Sequence, residues 1–235
     1  MSATPLPSSG EPPLDGQQTC DASGMAEIHR LFRSSFAEAA GLVGGVADGD
    51  TAHADVVAAQ LALISGALHA HHEGEDERLW PTLDERAPSC AVHVERMKAQ
   101  HATMLDHLRE LDAAVPGWRA APSSATAEPV RAALDGINAA LAVHLPDEET
   151  TIVPVMEHTL TEREVDWFGK HGRAHTPKGQ TWNMLGAILA AQPDGGAAFL
   201  KTNMPAPVRL LWRRVGAPKY ARYRAELEGA SATDR

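Results

Sequence analysis

The chain lacks residues that several classes of protein require. Its 235 residues include only 2 Cys, which is too few for a disulfide framework or a Cys-rich zinc module. Lys and Arg number 21 against 31 Asp and Glu, for a formal net charge of −10. Because nucleic-acid binders need an excess of basic residues to neutralise phosphates, this balance argues against a nucleic-acid partner.

Signals for membrane insertion and export are also missing. The longest apolar run, VVAAQLALISGALHA at 56–70, is broken by Gln60, Ser65 and His69, and is therefore too polar for a membrane span of about 18 apolar residues. Residues 1–20 are rich in Pro, Ser and Gly, without a basic start or an apolar stretch. They predict a disordered tail rather than a secretory signal. We therefore expect a cytoplasmic protein with no transmembrane segment.

Strand patterns are nearly absent, and helical periodicity takes their place. Apolar residues recur every three or four positions over 25–44, 52–80, 90–115 and 130–158, which is the spacing of one helix face. The connecting segments, rich in Gly, Pro, Ser and Asp, predict loops, and they occupy 43–50, 84–89 and 116–129. The sequence thus predicts an all-α protein whose residues 21–160 form an antiparallel four-helix bundle.

Histidine is unusually frequent for such an acidic chain, with 12 residues. Each apolar stripe carries one of them, in the order His29, His71, His101 and His144. Glu75 and Glu148 follow the second and fourth of these His by four positions, on the same helix face. A lone buried His is usually a hydrogen-bonded core residue, but a buried carboxylate without a partner is costly. A metal site satisfies all six side chains at once.

An internal repeat supports this metal site. The second helix, shifted by 73 residues, matches the fourth, and both carry H-x-x-x-E-x-x-x-x-x-P, from His71 to Pro81 and from His144 to Pro154. Duplicated halves predict a pseudo-twofold site suited to two metal ions. The Pro beyond each Glu predicts that the helix kinks or ends there.

At these residues the sequence resembles the hemerythrin-like (HHE cation-binding) family. The resemblance is carried, within residues 25–160, by His29 in EIHRLF, HHEGEDERLWP at 71–81, His101 in KAQHATML and HLPDEETTIVP at 144–154. It implies two non-haem iron ions, bridged by an oxo or hydroxo group and by carboxylates, that bind dioxygen or peroxide. It also implies that two carboxylates, Glu75 and Glu148, bridge the irons. The terminal ligands that it implies are four histidines: His29, His71, His101 and His144.

Two departures from the family pattern bear on the ligand set. Family members that bind dioxygen reversibly usually carry another His at the position of Met97, so about two of the twelve positions on two octahedral irons stay open. His72 is a candidate for one of them, the alternative being a partly exposed His. Pro146 bends the fourth helix, and a local bulge there would bring Glu149 rather than Glu148 to the metals.

Other metal sites fit the sequence less well. The paired Glu-x-x-His motifs of ferritin-like bundles are absent, as is the H-E-x-x-H motif of zinc proteases. A zinc hydrolase would need fewer ligands than the six present here.

Residues 161–235 are predicted to form a helical extension packed on the bundle. Thr161 and Glu164 form a capping box that starts one helix, and a second helix is predicted over 178–191. The basic and apolar segment at 204–227 is expected to pack with its charges solvated, the alternative being a helix that binds a membrane surface or a partner. Seven His fall off the four stripes and are expected at the surface or in local caps: His53, His69, His93, His107, His158, His171 and His175. For His171 and His175, which are spaced i, i+4, the alternative is a metal site; the nearby Gly169, Gly172 and Pro177 favour the capping or solvated role.

Three functions remain compatible with these residues. The first is a diiron protein that turns over hydrogen peroxide in a catalase-like or peroxidase-like reaction, which the extra open position at Met97 slightly favours. The second is an oxygen-binding carrier or sensor without turnover, and the third is iron storage. No residue is assigned a catalytic role, and the sequence specifies no oligomeric state.

Overall fold

Four long helices form a closed ring in the computed structural model, which describes residues 18–229. They are α1 (Gly24–Gly44), α2 (Thr51–Gly74), α4 (Ala91–Ala120) and α5 (Ser124–Thr151). Helices α2 and α5 both contact α1, and both also contact α4. Because short connections reverse the chain between successive helices, the ring is antiparallel. No strand occurs between residues 18 and 229, and the predicted all-α four-helix bundle is confirmed.

Both helices that carry the repeated motif continue beyond it after an irregular turn. Helix α2 passes through a π-helical turn, Glu75–Leu79, into α3 (Trp80–Arg86). Helix α5 ends at Thr151, and α6 follows over Val153–Thr159. The repeated Pro residues lie in the first turn of α3 and of α6, where a missing backbone N–H costs little. Each Pro therefore begins a new helical segment.

The connection between α4 and α5 is much shorter than predicted. The loop expected over 116–129 is wrong for most of that range, because α4 continues through Pro116 and α5 already begins at Ser124. The ring of Trp118 is only 1% exposed and packs in the bundle core. Ser123 caps α5 with reciprocal hydrogen bonds. Burial of a large ring and a strong N-cap thus outweigh the loop-like composition.

The apolar core is divided into two clusters along the bundle axis. The larger cluster includes Phe32, Leu68, Met104 and Leu141. The smaller cluster includes Met25, Leu79, Met97 and Ile152. On α1, α2 and α4 the polar residues of the predicted site lie between these two clusters in the chain, and on α5 Glu148 lies between Leu145 and Ile152. The polar centre is therefore enclosed by apolar side chains at both ends.

The extension follows the bundle as a series of shorter helices. They are α7 (Glu162–Ala174), α8 (Thr181–Ala190), α9 (Ala197–Asn203), α10 (Ala206–Leu211), a π-helical turn (Trp212–Gly216) and α11 (Ala217–Leu227). Helix α7 contacts α2, α8 contacts α1, and α11 contacts both α2 and α8. The capping box predicted at Thr161 and Glu164 is confirmed.

Most of the predicted N-terminal tail lies outside the described residues, since only Gln18–Cys20 of residues 1–20 are described. These last residues contact the bundle. The backbone N–H of Thr19 donates to the carbonyl oxygen of Glu157 at 2.7 Å, and Cys20 is 3% exposed.

One helix in the described part of the chain, Thr51–Arg86, is long and apolar enough to cross a membrane by length and composition alone. Half of its most apolar window is buried inside the bundle, so the core accounts for that apolar character.

Candidate metal centre

The six side chains predicted to bind metal converge in the middle of the bundle. The carboxylate of Glu75 lies 3.2 Å from Nε2 of His71 and 3.4 Å from Nε2 of His101, through different oxygens. One oxygen of Glu148 lies 3.3 Å from Nε2 of His29 and 3.5 Å from Nε2 of His144. Both carboxylates are fully buried. Each Glu therefore connects imidazoles from two different helices.

A seventh side chain, His72, joins this centre. It is 7% exposed, and its ring stacks on that of His101 with centroids 4.0 Å apart. The ligand atoms form two groups, each spanning no more than 4.8 Å: His29, His71 and Glu148 in one, and His72, Glu75, His101 and His144 in the other. His72 therefore lies in the second of these groups, and it is buried rather than partly exposed.

Helix geometry explains why two adjacent His can serve one centre. Successive residues of an α-helix differ in direction by about 100°, so Glu75 points about 40° from His71 and lies between the directions of His71 and His72. The carboxylate consequently faces both imidazoles. The π-helical turn begins at this Glu, as such turns often do at functional sites.

Three of the imidazoles are held by hydrogen bonds on the side away from the centre. Nδ1 of His101 lies 2.9 Å from Asp76 Oδ1, and Nδ1 of His144 lies 2.9 Å from Gln100 Oε1. Because the acceptors carry no proton, the ring nitrogens donate, which leaves Nε2 unprotonated in the neutral imidazole. Carboxylate or amide partners orient metal-binding His in this way. Sequence reasoning missed both partners, although each is adjacent in the chain to a predicted ligand.

Glu149 has this outer role instead of replacing Glu148. Its carboxylate accepts hydrogen bonds at 2.9 Å from Nδ1 of His29 and from Arg33, and its side chain is 28% exposed. Helix α5 passes Pro146 and remains α-helical to Thr151. Without a bulge, Glu148 keeps the inward direction one turn after His144, and Glu149 turns towards α1.

Burial and neighbouring charges together set the ionisation of the centre. It lowers the pKa of His71 and of His72 well below the ordinary value, and the neighbouring imidazoles lower it further. Burial and the charge of Glu148 raise the pKa of Glu75 well above its ordinary value. Burial opposes ionisation of Glu148 too, but the close His29 holds its pKa well below the usual range. Neutral imidazoles and an ionised carboxylate are the forms that bind metal ions.

Met97 stands where family members that bind dioxygen reversibly usually carry another His. Its side chain belongs to the smaller apolar cluster and is fully buried. A cleft of about 490 Å³ reaches the centre from a different side, between α2 and α4. His72 and His101 line it together with Asp76, Trp80 and Lys98. The cleft therefore ends at the rings of His72 and His101, whose Nε2 atoms are themselves buried.

The residues present fit a metal. Buried side-chain atoms normally have hydrogen-bond partners, but seven atoms of this centre have none: Nε2 of His72, His101 and His144, and both oxygens of Glu75 and Glu148. Leaving so many buried polar atoms unpaired is expensive. Imidazole nitrogens and carboxylate oxygens facing one small volume are the donors that first-row transition metals prefer.

Comparison with known proteins agrees with the geometry. The family described as hemerythrin HHE cation binding domain matches residues 21–163 of the chain. Neither the curated proteins nor the solved structures gave a match.

Proposed function

Because the chain belongs to the hemerythrin HHE cation-binding family, a family whose domain binds metal, we propose that its core holds two non-haem iron ions and takes up dioxygen or hydrogen peroxide. The observation that carries this proposal is the set of seven buried, unpartnered nitrogen and oxygen atoms between the two apolar clusters.

Two groups of ligands support two ions rather than one. One ion would be held by His29, His71 and Glu148, and the other by His72, Glu75, His101 and His144. Each carboxylate also faces an imidazole of the other group, which supports a bridging role for both. If each bridging carboxylate is counted for both ions, the first ion has four protein ligands, which is fewer than the six of an octahedral ion. They are His29, His71, Glu148 and Glu75. Open positions for a small molecule remain mainly on that side.

The bound iron pair would supply the redox chemistry of dioxygen and peroxide, which protein side chains do not supply. The chain's own residues do the rest. Asp76, Gln100 and Glu149 hold three imidazoles by Nδ1, so that Nε2 faces inward and is the nitrogen left without a proton when the ring is neutral. The apolar clusters above and below keep bulk water from the centre, which strengthens the electrostatic interactions inside it.

Turnover of hydrogen peroxide is the second candidate function, and the cleft between α2 and α4 favours it. Its wall carries the charged Asp76 and Lys98, so a small polar molecule can approach the ion held by His72 and His101, although the open positions lie mainly on the other ion. The ligand count no longer favours turnover over binding, because His72 supplies the nitrogen that Met97 does not.

One experiment separates these functions. Hydrogen peroxide is added to the purified, iron-loaded protein while oxygen release and the visible spectrum are followed together. Sustained oxygen release identifies an enzyme, whereas a stable new absorption band without release identifies a binding protein. Elemental analysis should find two iron ions per chain, and His101→Ala or Glu75→Ala should lose iron. A protein that takes up no iron, or a single zinc ion in its core, would contradict the diiron centre.

A further inference from the structure

Outside the centre, another group of His and carboxylate side chains converges where the extension meets the bundle. Glu73 of α2 and His171 and His175 of α7 each offer one ligand atom, and these atoms lie within 4.8 Å of one another. Glu73 follows His72 in the chain but is exposed, whereas His72 is buried. His171 and His175 are one turn apart, on the same face of α7. This group shares no side chain with the core centre.

His175 is held in the tautomer that a metal ligand requires. Its Nδ1 lies 2.8 Å from the carbonyl oxygen of His171. A carbonyl only accepts, so Nδ1 carries the proton and the neutral ring presents an unprotonated Nε2. Metal-binding His residues commonly donate their other ring nitrogen to a backbone carbonyl.

His171 has a buried ring nitrogen that no residue satisfies. Its Nε2 is inaccessible to solvent and has no hydrogen-bond partner, which costs stability unless a ligand is bound. The ring is fixed on one side by stacking on Trp167, with centroids 4.7 Å apart and planes 27° apart. On the other side it contacts the ring of His175, at 4.3 Å. The side chain therefore cannot simply turn towards water.

Gly74 allows α7 to come this close to α2. A Cβ atom at this position would lie 3.2 Å from Cδ2 of His171 and 3.5 Å from the ring of Trp167. The 3.2 Å distance to His171 is shorter than an ordinary van der Waals contact. The absence of a side chain here thus brings the two His residues of α7 next to Glu73.

We propose that Glu73, His171 and His175 bind a divalent metal ion of the Zn²⁺ class, and that this ion joins the extension to the helix that carries His71, His72 and Glu75. Two imidazole nitrogens and one carboxylate oxygen are a frequent donor set for tetrahedral zinc, with a fourth position open to water. Ligand atoms around such an ion are about 3.4 Å apart, and rotation of the exposed Glu73 side chain towards the two imidazoles closes the remaining distance.

The test counts zinc and iron on the same full-length protein. Zn²⁺ is titrated into the protein as purified by calorimetry, and both metals are measured per chain by mass spectrometry before and after gel filtration. We expect one further Zn²⁺ per chain with unchanged iron, and a higher Tm with zinc than without. His175→Gln and Glu73→Gln, both at exposed positions, should keep the helical spectrum and bind this zinc at least about tenfold more weakly.

His93→Gln is the matched control. His93 lies on α4, away from Glu73, His171 and His175, and its ring forms a hydrogen bond with Arg96. This variant should bind zinc like the wild type. The proposal is overturned if the wild type takes up no additional zinc, if either test variant binds as tightly as the wild type, or if each zinc that enters displaces an iron. The last outcome would place the zinc in the core.

Discussion

Replacing His72 by Leu should stabilise the metal-free protein and weaken its hold on metal. His72 is 7% exposed, and its Nε2 is buried without a hydrogen-bond partner. Removing an unsatisfied buried polar atom is worth about 1–3 kcal/mol. Leu has a similar volume and favours helix, and the adjoining cleft leaves room for its different shape. The same substitution removes one nitrogen from the group that includes Glu75, His101 and His144.

The assay compares the two proteins with and without metal. Chelator-treated His72→Leu should unfold at a Tm higher by about 2–4 °C for each kcal/mol gained, as expected for a chain of this size. In the iron-loaded state its affinity for the second ion should fall by about tenfold or more. Metal would therefore raise the Tm of the variant much less than that of the wild type.

His69→Leu is the control, since His69 lies three residues earlier on α2 and its side chain is 38% exposed. It should keep the iron content and change stability by no more than about 0.5 kcal/mol. If metal-free His72→Leu is no more stable than the wild type and binds iron equally well, His72 is not a ligand held at the expense of stability.

Three further predictions test the packing and the charges of the fold: one on a pair of Gly residues, one on Glu164 and one on Cys20. Gly186→Ala should destabilise the protein by about 1–3 kcal/mol, because the added Cβ would overlap the ring of Tyr220 on α11. Gly66→Ala should instead stabilise α2 by up to about 1 kcal/mol, because no atom lies within 4 Å of the added Cβ. Thermal unfolding measures both effects. The salt bridge from Arg86 lowers the pKa of Glu164 from 4.5 to about 2, so it stabilises the fold above pH 4.5 and is lost as the pH falls towards 2. Glu164→Gln should lower the Tm at pH 7, and its difference from the wild type should shrink over that acidic range. Burial, followed by the charges of nearby carboxylates, raises the pKa of Cys20 to about 11, so this thiol should react with iodoacetamide at pH 8 only after denaturation.

Each of these expectations has an outcome that contradicts it. Equal stability of the two Gly variants would mean that α8 and α11 do not pack as described. A Glu164→Gln difference that persists at pH 2 would show that the carboxylate charge is not what stabilises the contact. Rapid alkylation of native Cys20 would show that residues 18–20 do not stay on the bundle.

The pattern of the ligand helices could be predicted because one helix face reports burial directly. His29, His101 and His144 stand where Leu or Phe would otherwise complete an apolar stripe, and all three are buried. The loop between α4 and α5 could not be predicted as well. Its Pro, Ser and Ala composition resembles that of a connector, but the burial of Trp118 depends on the neighbouring helices.

The outer partners of the centre show the same limit. Gln100, Asp76 and Glu149 are polar residues beside predicted ligands, and the sequence does not say which acceptor reaches which imidazole. In the structure Asp76 of the π-helical turn crosses to His101 of α4, and Glu149 crosses to His29 of α1. Such contacts depend on the rotation and spacing of two helices, which no single helix encodes.

The sequence by itself determined the bundle, the family and six inward-facing His and Glu side chains, because helical periodicity couples the position of a residue in the chain to its burial. Only the tertiary structure decided that His72 joins the centre, that Glu148 rather than Glu149 faces it, and that Glu73 meets His171 and His175. These outcomes depend on how closely separate helices approach one another and how each is rotated about its axis. The periodic pattern of one helix shows which of its faces is buried, but not which residues of another helix that face meets.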